Sequence, residues 1–181
     1  MKVIAFAGMP LSGKTEAVEI AKSMSIPVVR MGDMVWGEVR KRGLELTDEN
    51  VGNIADQMRK QYGKDIWALR TLEKIRSMGE TESIVIDGIR NVEEIEVFKK
   101  ELGNDFVVIA VEASSDTRWK RALERGRVDD SKNIRTIEER DRRELGWGLG
   151  VVMASADVVV SNEGGLDEFR RRIRDLLSKF R

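Results

Sequence analysis

The sequence predicts an α/β fold in which a five-stranded parallel sheet carries helices on both faces. Short apolar runs alternate with helical patterns along the whole chain. Four of the five runs are nearly continuous in valine and isoleucine, which is typical of strands covered on both faces. Strand–helix alternation favours parallel strands joined by right-handed crossovers. The predicted strands span residues 3–7, 27–31, 83–87, 106–113 and 156–161.

Length and composition limit the chemistry that is open to this chain. Its 181 residues fit one domain, which we predict to span residues 1–181. The chain has no cysteine and no histidine, which excludes disulfides, thiol nucleophiles and histidine bases or metal ligands. Any chemistry that the chain performs must therefore use carboxylates, lysine, arginine, hydroxyls, backbone amides or a hard cation.

Charge and hydropathy indicate the setting in which the chain works. The 32 basic residues balance 32 acidic ones, so bulk charge does not predict a nucleic-acid partner. No stretch approaches the ~20 apolar residues of a membrane span, and the first apolar run is too short for a signal peptide. We therefore expect a cytoplasmic protein without a membrane partner, and the sequence leaves its oligomeric state open.

The first predicted strand leads into a phosphate-binding motif of the form G-x-x-x-x-G-K-[ST]. In such loops the glycines let successive backbone amides turn toward phosphate oxygens, and the following helix adds its positive N-terminal dipole. Lys14 is predicted to reach the β- and γ-phosphates of ATP, and Thr15 to bind Mg²⁺. The alternative is a glycine-rich turn without a ligand. The motif predicts a P-loop NTPase fold, and its residues are Gly8, Met9, Pro10, Leu11, Ser12, Gly13, Lys14 and Thr15.

The second predicted strand is followed by Asp33 and then by a long helical region. Asp33 is expected at the carboxyl edge of the sheet, where it can orient or deprotonate a phosphoryl acceptor; a helix N-cap is the structural interpretation, and the two roles are compatible. Residues 33–78 show helical periodicity without an obvious strand, which is more than one crossover needs. We predict that this region is a helical acceptor-binding lobe.

The third predicted strand ends in Asp87, and Arg90 follows it closely. In this fold an acidic residue at that position approaches the magnesium ion, although Asp-Gly is also a common turn. Arg90 lies where ligands bind in open α/β sheets, so we predict a catalytic role in gripping a phosphate; a surface salt bridge is the alternative.

Arginines gather after the fourth predicted strand. Arg118, Arg121 and Arg125 share one helix face, and Arg127 follows in a polar segment without periodicity. We predict a short lid at residues 126–134, with Arg121 on the nucleotide and Arg125 and Arg127 on the transferred phosphoryl group. A solvated, ion-paired surface is the alternative.

Four segments resemble the ordered motifs of adenylate kinases: Gly8–Thr15, Met31-Gly32-Asp33-Met34, Asp87-Gly88-Ile89-Arg90 and Arg127-Val128-Asp129-Asp130. The resemblance implies, in that order, a phosphate loop, the start of the monophosphate-binding helices, an acceptor-phosphate arginine and the far side of a lid. Two features depart from adenylate kinases: Trp36 stands where those enzymes have an arginine, and no proline precedes Arg90.

The C-terminal segment, residues 156–166, resembles the end of dephospho-coenzyme A kinases. There the loop after the last strand lies by the adenine, which implies that Asn162 contributes to nucleotide binding. Over nearly its whole length the chain resembles an uncharacterised archaeal P-loop family described as related to adenylate kinase and dephospho-coenzyme A kinase.

The sequence therefore predicts an ATP-dependent small-molecule kinase that needs Mg²⁺ and acts on a nucleotide-like acceptor. A nucleoside monophosphate would use Arg90, Arg40 and Arg59 around its phosphate, whereas dephospho-coenzyme A would use Asp33 as base. A different class also remains open, namely an ATP-binding or ATP-hydrolysing switch that regulates a protein or nucleic acid.

Overall fold

In a computed structural model that describes residues 1–125 and 134–180, five strands form one sheet in the order β2-β3-β1-β4-β5. Every neighbouring pair is parallel. The predicted α/β class and parallel sheet are thus confirmed. The strands are β1 (Lys2–Ala7), β2 (Val28–Arg30), β3 (Ser83–Asp87), β4 (Phe106–Glu112) and β5 (Val158–Ser161).

Helices connect all of these strands. Most of the predicted lid, residues 126–133, lies outside the described residues, and Ile134 begins a helix. A 3₁₀ turn at Gly103–Asp105 precedes β4. The helices are α1 (Lys14–Ser23), α2 (Met31–Lys41), α3 (Asp48–Tyr62), α4 (Ile66–Arg76), α5 (Val92–Leu102), α6 (Ser115–Arg125), α7 (Ile134–Trp147), α8 (Leu149–Ala154) and α9 (Leu166–Ser178).

The sheet separates two apolar layers. Along β1, Val3, Ala5 and Ala7 face one layer, whereas Ile4 and Phe6 face the other, and all five are fully buried. The first layer packs under α2, α3, α4, α5 and α8, and the second under α1 and α9. Because both faces are covered, the strands are mostly apolar and their polar residues lie at the strand ends, in agreement with the valine and isoleucine runs.

Helix α2 begins earlier than the sequence suggested. Its N-cap position is Arg30, so Asp33 lies within the first helical turn, and the N-cap interpretation of Asp33 was wrong. Met31 is 2% exposed and belongs to the core, so the chain turns into the helix as soon as β2 ends. An acidic side chain in the first turn still complements the helix dipole.

Helices α2, α3 and α4 form the predicted helical region beside the sheet edge. Glu38 of α2 is nearly buried and accepts hydrogen bonds from Arg42 and from Arg70 of α4, both at 2.9 Å. Trp67 is buried and donates to the Ala55 carbonyl of α3. Among the described residues, no helix has the length and apolar character needed to cross a membrane.

Candidate phosphate-binding site

The loop between β1 and α1 has close backbone contacts at its two motif glycines. A Cβ on Gly8 would lie 2.6 Å from Ser12 Oγ and 2.7 Å from the Val111 carbonyl oxygen. Gly13 has φ +109°, and a Cβ there would lie 2.1 Å from Asn162 Nδ2. Both positions therefore require glycine, for space at Gly8 and for space and conformation at Gly13.

Side chains from distant segments bind the carbonyls of this loop. Arg118 Nη1 donates to the Pro10 carbonyl at 3.0 Å, and Asn162 Nδ2 donates to the Ser12 carbonyl at 2.7 Å. Arg121 Nη1 lies 3.3–3.4 Å from the carbonyls of Leu11 and Ser12. Each C=O points opposite to the next N–H across a trans peptide, so the amides of Leu11 and Gly13 point away from these donors. Amides directed in this way are what an anion-binding loop requires.

A cleft of about 590 Å³ opens over the loop. Arg121, predicted to bind the nucleotide, and Asn162, carried over from the resemblance, both line it as well as holding the loop's carbonyls. Arg140 of α7 also reaches the cleft, although no individual role was predicted for it. The other lining residues are Met9, Pro10, Leu11, Gly13, Lys14, Thr15, Glu16, Glu124, Gly164 and Leu166.

Lys14 and Asp87 meet at the carboxyl edge of the sheet. Lys14 Nζ lies 3.6 Å from Asp87 Oδ1, beyond hydrogen-bond distance, and Arg30 Nε lies 3.8 Å from Asp87 Oδ2. The register explains this grouping, because Asp87 pairs with Arg30 on β2 and with Phe6 on β1. Thr15 lies in the first turn of α1 and is exposed.

Asp33 and Trp36 are connected to this edge through Arg30, a residue that the sequence analysis did not single out. The Asp33 carboxylate is about half exposed and lies 3.9 Å from Arg30 Nη1. The Arg30 guanidinium lies 5.1 Å from the centre of the Trp36 ring. Arg30 thus provides positive charge close to Trp36, where adenylate kinases carry an arginine.

Arg90 belongs to a cluster centred on Trp147, the last residue of α7. The guanidiniums of Arg59, Arg90 and Arg143 lie 4.8, 5.6 and 5.6 Å from the centre of the indole ring. The indole Nε1 donates to Asp56 Oδ1 at 2.7 Å. This arginine–tryptophan cluster joins α3, the start of α5 and the end of α7.

Buried groups surround Arg90 and Arg59. Glu94 is fully buried and accepts from the Arg90 backbone N–H at 2.8 Å and from Arg59 Nη2 at 3.3 Å. Burial raises the pKa of Glu94, against the lowering effect of Arg59. Glu144 Oε2 lies 3.7 Å from Arg90 Nε. Within the described residues, Arg59 Nε, Arg59 Nη1 and Arg90 Nε have no hydrogen-bond acceptor.

The structure describes some of the arginines in the predicted lid region and not others. Arg118, on the same predicted face, is buried and forms an ion pair with Asp141 of α7 rather than facing solvent. Arg125 is the last residue of α6. Arg127 lies outside the described residues. The roles predicted for Arg125 and Arg127 therefore stay predictions.

Comparison with known proteins identifies the family. A family model described as an AAA domain matches residues 7–138. A UPF0200 protein of Methanosarcina barkeri is 43% identical over 180 residues, covering 99% of this chain and 96% of that protein. The chain belongs to the UPF0200 family and to the family of this AAA domain model. A UPF0200/UPF0201 protein of Archaeoglobus fulgidus is 49% identical over 180 residues, covering 99% of this chain, which spans only 56% of that relative's length.

Solved structures show how this UPF0200 chain folds. A gluconokinase from Sinorhizobium meliloti matches with a TM-score of 0.60 and 16% identity, covering 98% of this chain and 92% of that one. A shikimate kinase from Aquifex aeolicus matches with a TM-score of 0.52 and 17% identity, covering 98% and 95%. The predicted P-loop kinase-like family and P-loop fold are confirmed.

Proposed function

We propose that this UPF0200 protein is an ATP-dependent small-molecule kinase that transfers the γ-phosphoryl group of MgATP to a nucleotide-like acceptor, either a nucleoside monophosphate or dephospho-coenzyme A. The observation that supports this most strongly is the loop at residues 8–15. Its carbonyls are bound by Arg118, Arg121 and Asn162, and its amides at Leu11 and Gly13 point the other way. A loop held in this conformation by the protein's own side chains is suited to a phosphate chain.

The donor nucleotide would lie in the cleft over the loop. Lys14 leaves its long contact with Asp87 and binds the β- and γ-phosphates, while Arg121 and Asn162 lie along the nucleotide side of the cleft. Arg125 and Arg127 are proposed to approach the transferred group from the lid. In such transfers the protein mainly positions the reactants and neutralises developing charge.

The residues present fit a magnesium ion. Asp87 Oδ1 is buried without a hydrogen-bond donor among the described residues, and the Thr15 hydroxyl lies at the start of α1. Two such oxygens, completed by phosphate and water, are the sparse protein ligand set that Mg²⁺ prefers. When bound, the ion would offset charge on the phosphates.

The acceptor would lie between Asp33 and Arg90, with the helical lobe at residues 33–78 contributing. An acceptor oxygen forms a bond to the γ-phosphorus as the bond from that phosphorus to the β–γ bridging oxygen breaks, and ADP leaves. A hydroxyl acceptor would lose its proton to Asp33, whereas a monophosphate acceptor is already ionised. The unpartnered N–H groups of Arg59 and Arg90 favour an acceptor that carries an anionic group.

The test is an acceptor panel. ADP formation from MgATP is measured with the protein alone, with each common nucleoside monophosphate and with dephospho-coenzyme A, and the phosphorylated product is identified by mass spectrometry. We expect one acceptor to stimulate ATP consumption strongly and to appear one phosphate heavier. Slow hydrolysis that no acceptor stimulates would instead support a regulatory switch.

A further inference from the structure

Arg118 connects the phosphate loop to α7. Its side chain is 5% exposed, and its Nη1 donates both to the Pro10 carbonyl at 3.0 Å and to Asp141 Oδ1 at 2.9 Å. Its Nη2 donates to Asp141 Oδ2 at 2.6 Å. One guanidinium therefore binds a carboxylate through both oxygens and a loop carbonyl at the same time.

The geometry of this contact makes the conformation of the phosphate loop depend on Asp141. A guanidinium is a planar fork, so a carboxylate bound through both oxygens fixes the plane in which all of its N–H groups lie. That plane sets the direction from which Nη1 approaches Pro10. Because the contact is buried, water competes poorly for either partner, and an unpaired charge there would be strongly unfavourable.

We propose that Arg118 and Asp141 are a positioning pair for the nucleotide site: Asp141 orients Arg118, and Arg118 holds the Pro10 carbonyl so that the next amide, that of Leu11, faces the phosphates. Neither side chain touches the reacting atoms. The proposal rests on the proposed function for the identity of the ligand, but the effect on the loop itself does not depend on any ligand.

The helical lobe offers a matched control. Glu38 is also a nearly buried carboxylate with two arginine partners, but these partners, Arg42 and Arg70, lie in the helical lobe and not beside the phosphate loop. Replacing Glu38 by glutamine therefore breaks a comparable pair at another place. A general loss of stability would appear in both variants, whereas an effect on the phosphate loop would appear only when the Arg118–Asp141 pair is broken.

The experiment compares Asp141→Asn with Glu38→Gln in two measurements. The first is the affinity for MgATP and MgADP by calorimetry, for which we expect a loss of about tenfold or more in Asp141→Asn and little change in Glu38→Gln. The second is amide hydrogen exchange of Ser12 without nucleotide, since this amide donates to the Met9 carbonyl within the loop. We expect faster exchange in Asp141→Asn alone.

Conservative variants keep the test decisive if Asp141→Asn does not fold. Arg118→Lys retains the charge but not the fork, and Asp141→Glu retains the carboxylate; we expect Arg118→Lys to weaken nucleotide binding more than Asp141→Glu does. Unchanged affinity and exchange in all folded pair variants would overturn the proposal. If the wild-type protein binds no nucleotide and Asp141→Asn still accelerates Ser12 exchange, the proposed function fails and the positioning pair stands.

Discussion

Lys14 is held loosely at the carboxyl edge of the sheet. Its Nζ is 3.6 Å from Asp87 Oδ1, and both side chains are about one-fifth exposed. A contact of this length with access to water contributes little to stability. Lys14 can therefore change partner from a carboxylate to a phosphate at small cost.

Replacing Lys14 by alanine is accordingly expected to affect catalysis far more than folding. Removing one preorganised cation from a phosphoryl-transfer site lowers turnover by about 10²–10³-fold. The melting temperature should stay near that of the wild-type protein because a weak, partly exposed contact is lost. Turnover is measured with the acceptor found in the panel, and Lys22→Ala, an exposed lysine on the same helix, is the control. Near-normal turnover in Lys14→Ala would contradict the assigned site.

A site residue could be predicted from the sequence when the residues that it contacts lie close to it along the chain. Lys14 and Thr15 could be identified because the motif is contiguous. Arg118 could not be assigned to the loop, since Pro10 precedes it by 108 positions and Asp141 follows it by 23. Arg30 was missed for a similar reason, because its contact with Asp87 exists only once β2 and β3 pair.

At the scale of elements, the contact between α2 and α4 is sensitive to acid. Hydrogen bonds from Arg70 and then Arg42 lower the pKa of Glu38 below its ordinary value near 4.5, against the raising effect of burial. A carboxyl whose pKa is lower in the folded state contributes stability above its unfolded pKa, and that contribution is lost as the pH falls through the folded pKa.

Glu38→Gln is therefore expected to be less stable than the wild-type protein near neutral pH, with the difference shrinking below about pH 4.5. Melting temperatures of both proteins between about pH 3 and 7 provide the measurement. The raised pKa of Glu94 has the opposite effect on how stability changes with pH. Glu94 is present in both proteins, so its contribution cancels in the difference between them. Glu19→Gln, an exposed carboxylate on α1, should follow the wild-type curve. A constant difference across this range would contradict the assignment.

The elements themselves were predicted unevenly. β3 has the bounds that its apolar run indicated, and β1 pairs with it over its whole length. β2 is shorter than expected because burial of Met31 draws the chain into α2. α8 has six residues and begins after Gly148 in the left-handed region, and such a short helix has too few turns to show periodicity.

At the scale of the whole molecule, one sheet supports both apolar layers. β1 contributes side chains to each layer, so neither layer can lose its packing without exposing the sheet. The sequence indicated the two-sided covering through its valine and isoleucine runs. The order of the strands in the sheet could not be predicted from the sequence, because it depends on which neighbouring strands each crossover connection passes over.

We expect thermal unfolding to occur in a single cooperative transition that MgATP moves to higher temperature. A ligand at about 100 times its Kd stabilises the folded state by about 2.7 kcal/mol, which corresponds to a shift of about 5–10 °C for a chain of this size. Differential scanning calorimetry with and without a non-hydrolysable MgATP analogue measures both effects. Two resolved transitions would contradict the single domain, and an unshifted transition would contradict nucleotide binding.

The indole of Trp147 gives this protein an optical reporter of its own. Three guanidiniums surround the ring and a carboxylate accepts from its nitrogen, so its emission depends on charges carried by α3, by Arg90 just before α5, and by α7. A separation of α7 from the lobe would replace those charges by water and change the wavelength of the emitted light. In a variant with phenylalanine in place of Trp36, Trp67 and Trp119, stopped-flow fluorimetry could therefore follow rearrangement around α7 in real time without an attached dye.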